Sequence, residues 1–347
     1  MFLSLLIFNG LEIYTVFLLL ESHKIIKLLN PIKRFDQSAF RPYSLTMPEI
    51  IKKGRYRICI ADEYKCDAMV DYLLSIDSHL ASGRIITKGR NITVISAAPG
   101  RESEIDVVIK AFPSSSSVRH LLPGGGYTKA RRNWEAAVRL YETIQGTPVP
   151  VAYVEHVIKL GTVASFYISV YADGFSSFKE ELLNIYLREC EGDKLRSLLG
   201  SVAAGVRRMH DNGVVHHDLG NQNIFLRRKG DYDWADVLFI DLNRGRVYKE
   251  ISLLRRASDL SRLALPPNLM KFFIFMYCGK DIEPTELAAL EGLARFKYQV
   301  HHRSRSLRHP FREAKLAGTT DSWTLYPPVN AIMISERGKK IPLVEFK

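Results

Sequence analysis

Val214-Val-His-His-Asp-Leu-Gly-Asn-Gln-Asn-Ile-Phe-Leu226 decides the reading of this chain. His216, Asp218, Leu219 and Asn223 fit the spacing H-x-D-L-x-x-x-N, with apolar residues on both sides. Apolar flanks can anchor in a core and hold the polar centre as a short loop at its edge. A carboxylate held there can accept the proton of an attacking hydroxyl, and an amide five residues on can turn back beside it. His216 reads as structural, packing or hydrogen-bonding under the loop. His217 has no second His or Cys at ligand spacing, which argues against a metal role.

Downstream, Val237-Leu-Phe-Ile-Asp-Leu-Asn243 is an apolar strand ending in a carboxylate, with Asp241 18 residues after Asn223. Such an aspartate, with the Asn223 amide, can hold magnesium across nucleotide phosphates. An aspartate at a strand end is common by itself, and here Asp241-Leu242-Asn243 stands in place of D-F-G. Upstream, Val107-Val-Ile-Lys110 resembles the V-A-I-K strand that supplies a phosphate-holding lysine. Many strands carry three apolar residues and a lysine; the order of the three motifs is what gives this one its meaning. The partner carboxylate for Lys110 is expected from the next helix. Glu135 in Asn133-Trp-Glu-Ala-Ala137 is the candidate, and Glu142, toward the far end, is the alternative. No G-x-G-x-x-G precedes Lys110. The turn at Lys88, Gly89 and Arg90 could cover phosphates, or be a plain hairpin turn. Gly124-Gly-Gly126 could cradle an anion before a helix, or serve as a flexible connector. Together the motifs point to phosphoryl transfer, with ATP and Mg2+ as cofactors, Asp218 as base, and Asn223 and Asp241 as metal ligands.

The rest of the chain arranges itself around these motifs. Tyr64–Ile76 reads as a helix, and strands at 83–87 and 92–97 flank the Lys88–Asn91 turn, with 107–112 as a third strand. Ser114–Ser117 and Gly124–Gly126 mark a connector. Thr128–Gln145 reads as a helix with Trp134, Val138, Tyr141 and Ile144 on one stripe, followed by strands at 151–157 and 163–171. Leu195, Leu198, Leu199, Val202, Val206 and Met209 then keep helical spacing up to Asn212-Gly213, and a further helix is expected over 251–263. Strands first and helices afterwards predict an α+β chain with two lobes and a hinge near Tyr171–Gly174. The expected division is an extension over 1–46, a strand-rich ATP-binding lobe over 47–171, and a helical catalytic lobe over 172–347.

The 347 residues, 46% hydrophobic and 25% charged, can bury one large core or two smaller ones. The net charge of +12 suits attraction to polyanions, or solubility alone. Four scattered cysteines, Cys59, Cys66, Cys190 and Cys278, exclude a disulfide scaffold and a structural zinc site, and fit a reducing compartment. Residues 1–20 are apolar but interrupted by Asn9, Gly10 and Glu12, and Lys24, Lys27, Lys33 and Arg34 follow. If this run spans a membrane, the basic flank keeps the rest cytoplasmic. Alternatively Met47 is the true start.

These residues resemble the lipopolysaccharide kinase family, which phosphorylates heptose or Kdo sugars of the bacterial inner core. The likeness rests on Lys110, Trp134-Glu135, His216 to Asn223, and Ile240-Asp-Leu-Asn-Arg-Gly-Arg246, and covers roughly residues 83 to 265. It implies a protein-kinase-like fold at the cytoplasmic face of the inner membrane, with the chain peripheral or N-terminally anchored. It gives Asp218 as base, Asn223 and Asp241 as magnesium ligands, and Lys110 with Glu135 as the phosphate clamp. In that family the strand-end aspartate is commonly followed by an apolar residue, a polar residue and an arginine, as in Asp241-Leu-Asn-Arg244.

Protein kinases carry a long segment ending in A-P-E after the magnesium aspartate. Here only about ten residues separate Asp241 from the next helix, leaving little platform for a peptide and favouring a glycan or glycolipid. Asp259 could brace the catalytic loop from that helix, or be a solvated charge. Arg244, Arg246, Lys249, Arg255 and Arg256 could meet anionic groups of the acceptor, or be a solvated face. The basic stretch Arg295–Arg312 would suit an anionic membrane surface or nucleic acid, but no nucleic-acid module is visible. The alternatives are a protein kinase, an antibiotic-type small-molecule kinase, or a nucleotide-binding pseudokinase acting as a membrane-associated module. The sequence is silent on oligomeric state.

Overall fold

The structure is a computed structural model that describes residues 49–89, 91–113, 128–158, 161–185, 192–230 and 232–303, and the strand residues 333–336 and 339–342. The extension over 1–46, Arg90, the connector at Ser114–Ser117 and Gly124–Gly126, and the basic stretch beyond Arg303 lie outside the described residues.

The first part of the chain builds one sheet. Its elements are β1 (Ile51–Lys53), β2 (Tyr56–Ile60), α1 (Asp67–Leu74), α2 (Ile76–Ser82), β3 (Arg84–Lys88), β4 (Ile92–Pro99), β5 (Glu104–Pro113), α3 (Lys129–Ile144), β6 (Pro150–Ile158) and β7 (Gly161–Val170). The seven strands run antiparallel in the order β1-β2-β6-β7-β5-β4-β3. Alternation along β5 sends Val107, Ile109 and Ala111 to one face, where they join Ile58, Val154, Phe166 and Ile168 under Met69, Val70 and Leu73 of α1. Lys110 and Phe112 go to the other face. Across the strands Lys110 pairs with Tyr167, Tyr167 with Tyr153, and Tyr153 with Cys59. This face meets α3, and its core continues into the helical part of the molecule.

Helix α3 starts where Thr128 Oγ1 accepts from the Arg131 amide and stops at Gln145, whose φ is 51°. Its buried face is Ala130, Asn133, Trp134, Ala136, Ala137 and Leu140; of the expected stripe Trp134 is buried, while Val138, Tyr141 and Ile144 are only partly so. The alanines let the helix lie close to the sheet, so the larger residues stay half-buried at its margin. The helix expected over 64–76 is broken into a 3-10 turn at Asp62–Tyr64 followed by α1 and α2, which divide at Ser75.

After Tyr171–Phe175 the chain enters its helical part. The elements are β8 (Ser176–Ser177), α4 (Phe178–Asn184), α5 (Gly192–Asp211), β9 (Val214–Val215), β10 (Ile224–Arg228), β11 (Trp234–Phe239), β12 (Arg246–Val247), α6 (Leu253–Leu260), α7 (Pro267–Cys278) and α8 (Pro284–Arg303). All six expected apolar residues of α5 are buried. Ser177 and Glu180 close a capping box at the start of α4, a signal the sequence carried but which was not read as a helix start. The short strands form two small sheets, β11-β10-β8 and β12-β9. Their function is positional, since they hold both ends of the loops that bear Asp218 and Asp241. Farther on, β13 (Met333–Glu336) and β14 (Lys339–Pro342) pair antiparallel. Among the described residues no helix is long and apolar enough to cross a membrane.

Candidate active site

The loop after β9 is fixed from below by Asp259 of α6. This aspartate is 1% exposed. Its Oδ2 accepts the His216 amide and its Oδ1 the His217 amide, both at 2.7 Å. His210 Nε2 lies 3.1 Å from the same carboxylate, and the hydroxyl of Tyr277 is 2.7 Å from His210 Nδ1. Arg256 donates to that hydroxyl at 2.9 Å and pairs with Asp211. Burial works against charge on Asp259, yet the bond to His210 and the neighbouring imidazoles hold its carboxyl below the usual range. Asp259 is therefore the brace, not a solvated charge. His210, Tyr277 and Arg256 complete a buried network that local motifs do not reveal.

The imidazole of His216 is fully buried; its Nε2 donates to the Ile240 carbonyl at 2.9 Å and its Nδ1 accepts from the Asp218 amide at 3.3 Å. The bonding pattern places a ring proton on Nε2. His216 thus ties the loop of Asp218 to the residue before Asp241. His217 takes φ +61°, and burial pushes its imidazole below the ordinary histidine value.

Asn223 donates from Nδ2 to the Asp218 carbonyl at 2.8 Å, leaving its amide oxygen for another partner. Ile224 pairs with Phe239, and the Ile240 amide donates to the Asn223 carbonyl at 3.0 Å. Asn223 and Asp241 therefore emerge at the same end of the β10–β11 pair. Asn221 anchors the loop further, exchanging two hydrogen bonds with the backbone of Ala264.

Asp241 sits in the left-handed region (φ +61°), beyond the last residue of β11. This turns its carboxylate away from the strand and toward Lys110, whose Nζ lies 2.7 Å from Oδ1. Asn243 donates its side-chain amide to the same oxygen. Glu135 pairs with Arg131 Nε at 3.1 Å and lies outside ion-pair range of Lys110 in this structure. Burial pushes the Glu135 carboxyl up, against the Arg131 hydrogen bond that lowers it. Glu142 is exposed at the end of α3. Arg132 Nε donates to the Asn243 carbonyl at 3.0 Å, which links α3 to the Asp241 turn. Gly89 is exposed in the β3–β4 turn, with its amide 3.2 Å from the Asn91 carbonyl.

The carboxylate of Asp241 and the amide oxygen of Asn223 are hard oxygen donors that suit magnesium, which completes its shell with phosphate oxygens and water. No group of three or more His, Cys, Asp or Glu able to hold a metal ion exists among the described residues. The basic run separates into different environments. Arg256 belongs to the buried network, Arg255 stacks over Tyr248 at 4.3 Å, and Arg244 is exposed and 3.5 Å from Asp218.

Residues 117–269 match the model of the "Lipopolysaccharide kinase (Kdo/WaaP) family". The structure described as "WaaP in complex with acyl carrier protein" is similar at a TM-score of 0.53 and 20% identity, covering 70% of this chain and 98% of that one. The "BubR1 kinase domain" aligns at a TM-score of 0.33 and 13% identity over 71% of this chain and 64% of its own, too distant to equate the folds. No curated protein matches in sequence. The fold is the bilobal α+β protein-kinase-like one, and residues 117–269 are similar to the lipopolysaccharide kinase (Kdo/WaaP) family.

Proposed function

We propose that this protein is an ATP-dependent kinase that phosphorylates a sugar hydroxyl, Kdo or heptose, of a lipopolysaccharide core. The observation that carries the reading is the Lys110–Asp241 ion pair of 2.7 Å between a sheet strand and the end of β11, beside an Asn223 locked to Asp218. Lys110 would hold phosphate oxygens, Asp241 and Asn223 would hold magnesium, and Asp218 would take the acceptor proton. Bound magnesium would supply neutralisation of charge on the phosphates. Glu135 would reach Lys110 after releasing Arg131, and Gly89 with Arg90 would cover the phosphates. Residues 47–171 then act as the ATP-binding lobe and 172–347 as the catalytic lobe.

The short path after Asp241 supports a small acceptor. It is occupied by the 3-10 turn Leu242–Arg244 and by β12, and α6 begins at Leu253. A location at an anionic membrane surface, on its cytoplasmic face, draws support from the net charge of +12. Exposed Phe272 and Phe275 of α7 and Leu293, Phe296 and Val300 of α8 point the same way.

The test offers radiolabelled ATP and magnesium with core oligosaccharide, casein or an aminoglycoside. Label on the oligosaccharide alone is expected. Label on casein or the aminoglycoside instead would move the chain to another acceptor class, and nucleotide binding without transfer would make it a binding module.

A further inference from the structure

We infer that Arg244 is a catalytic residue that neutralises the phosphoryl group in flight; the inference rests on the phosphotransfer reading above. Between Asp218 and Asn223 the loop reads Leu219-Gly220-Asn221-Gln222 and contains no cation. Asn221 is committed to Ala264, and Lys110 is engaged by Asp241 on the nucleotide side. In-line transfer nonetheless develops charge on equatorial oxygens next to the base, where a fixed cation is most effective. Arg244 Nη1 stands 3.5 Å from Asp218 Oδ1, and this is its one ion pair among the described residues.

The backbone under Arg244 is held on every side. Leu242 and Asn243 are buried, the Asn243 side chain bonds Asp241, and its carbonyl accepts from Arg132. The Gly245 amide donates to the Leu242 carbonyl at 2.8 Å, and a Cβ on Gly245 would meet that oxygen at 2.8 Å and Ala136 Cβ at 3.0 Å. Arg246 then pairs with Val215 of β9, immediately before His216. The arginine side chain itself stays 54% exposed. A long, weak contact to a half-exposed carboxylate contributes little to folding. It leaves a guanidinium, poised over the base, free to take a better anion.

In the step itself, the acceptor oxygen forms a bond to the γ-phosphorus of ATP as the bond from that phosphorus to the β,γ-bridging oxygen breaks. The electron pair leaves with ADP, and the hydroxyl proton passes to Asp218. Arg244 would release Asp218 and bind an equatorial oxygen of the transferring group.

Magnesium-ATP hydrolysis without acceptor, in single turnover, separates this role from recognition of an anionic acceptor, because water replaces the sugar. Arg244→Gln is expected to slow hydrolysis and transfer together by about 100-fold, with magnesium-ATP affinity and melting temperature unchanged. Arg244→Lys should restore part of both rates, and Lys229→Gln, which removes an exposed cation just beyond β10, should change neither. Normal hydrolysis with a raised acceptor KM would overturn the inference in favour of acceptor binding. Faster hydrolysis would overturn it in favour of an inhibitory contact. Should Arg244→Gln not fold, the same comparison is made with Arg244→Lys, where wild-type hydrolysis would overturn a guanidinium role. Failure of wild-type chain to bind magnesium-ATP would instead remove the kinase reading beneath it.

Discussion

Lys110 in the middle of β5 and Asp241 at the end of β11 form an ion pair of 2.7 Å, with side chains 17% and 26% exposed. The pair joins the sheet to the small strands that carry Asp241. Each side chain satisfies the other. On the proposed reading, bound phosphate and magnesium would take the place of this pairing.

Lys110→Ala is expected to cut kcat/KM for ATP by about 100-fold or more, as loss of a preorganised cation does. Steady-state kinetics would show it. Glu135→Gln should be milder, since Glu135 is paired with Arg131 in this structure. A loss equal to that of Lys110→Ala would mean that Glu135 engages Lys110 throughout turnover.

Asp259→Asn should cost about 3 kcal/mol or more of stability, because one carboxylate oxygen bonds each of two buried amides and an amide side chain cannot replace both. Urea denaturation measures this. Turnover should fall as well, since the backbone of His216 and His217 positions Asp218.

Gly213 has φ +82°, and a Cβ there would lie 2.2 Å from the Tyr248 carbonyl. Its own carbonyl accepts the Tyr248 amide at 2.7 Å. Gly213→Ala is therefore expected to destabilise by more than about 1 kcal/mol, the left-handed cost plus the clash. An unchanged denaturation midpoint would contradict that packing.

The pH dependence has a definite sign. Burial depresses His217 below its ordinary 6.5, so its contribution to stability is present above that value and is lost as pH falls through the folded-state pKa. Asp259 is also depressed, so its contribution disappears only at lower pH, below the ordinary carboxyl range. Denaturation at pH 7.5, 6 and 5 should show falling stability, and His217→Gln should remove part of the fall between 6.5 and 5.

Much of the site was legible because its residues lie in short runs whose spacing reflects local geometry. His216, Asp218 and Asn223 share one loop, and Asp241 ends an apolar strand. Strands β3 to β7 and β11 and helix α5 were legible from their apolar runs and periods, whereas β1, β2 and the two- to five-residue strands β8, β9, β10 and β12 were too short to stand out. On α3 only Trp134 of the expected stripe is buried, because Ala130, Ala136 and Ala137 share the face that packs against the sheet. His210, Tyr277 and Asn221 were missed because their partners lie 43 to 67 residues away. Only the fold brings them together. Asp259 could be read two ways for the same reason, and the division of the basic run depended on which arginines tertiary packing buries.

Calorimetric titration of magnesium-ATP into the wild type, Asp218→Ala and Asp241→Ala, paired with transfer of label to core oligosaccharide, tests the central claim most directly. The account predicts that Asp218→Ala binds nucleotide like the wild type but transfers at least about 1,000-fold more slowly. It predicts that Asp241→Ala loses the magnesium-dependent part of binding. Full transfer by a folded Asp218→Ala, or unchanged magnesium-dependent binding by Asp241→Ala, would contradict it.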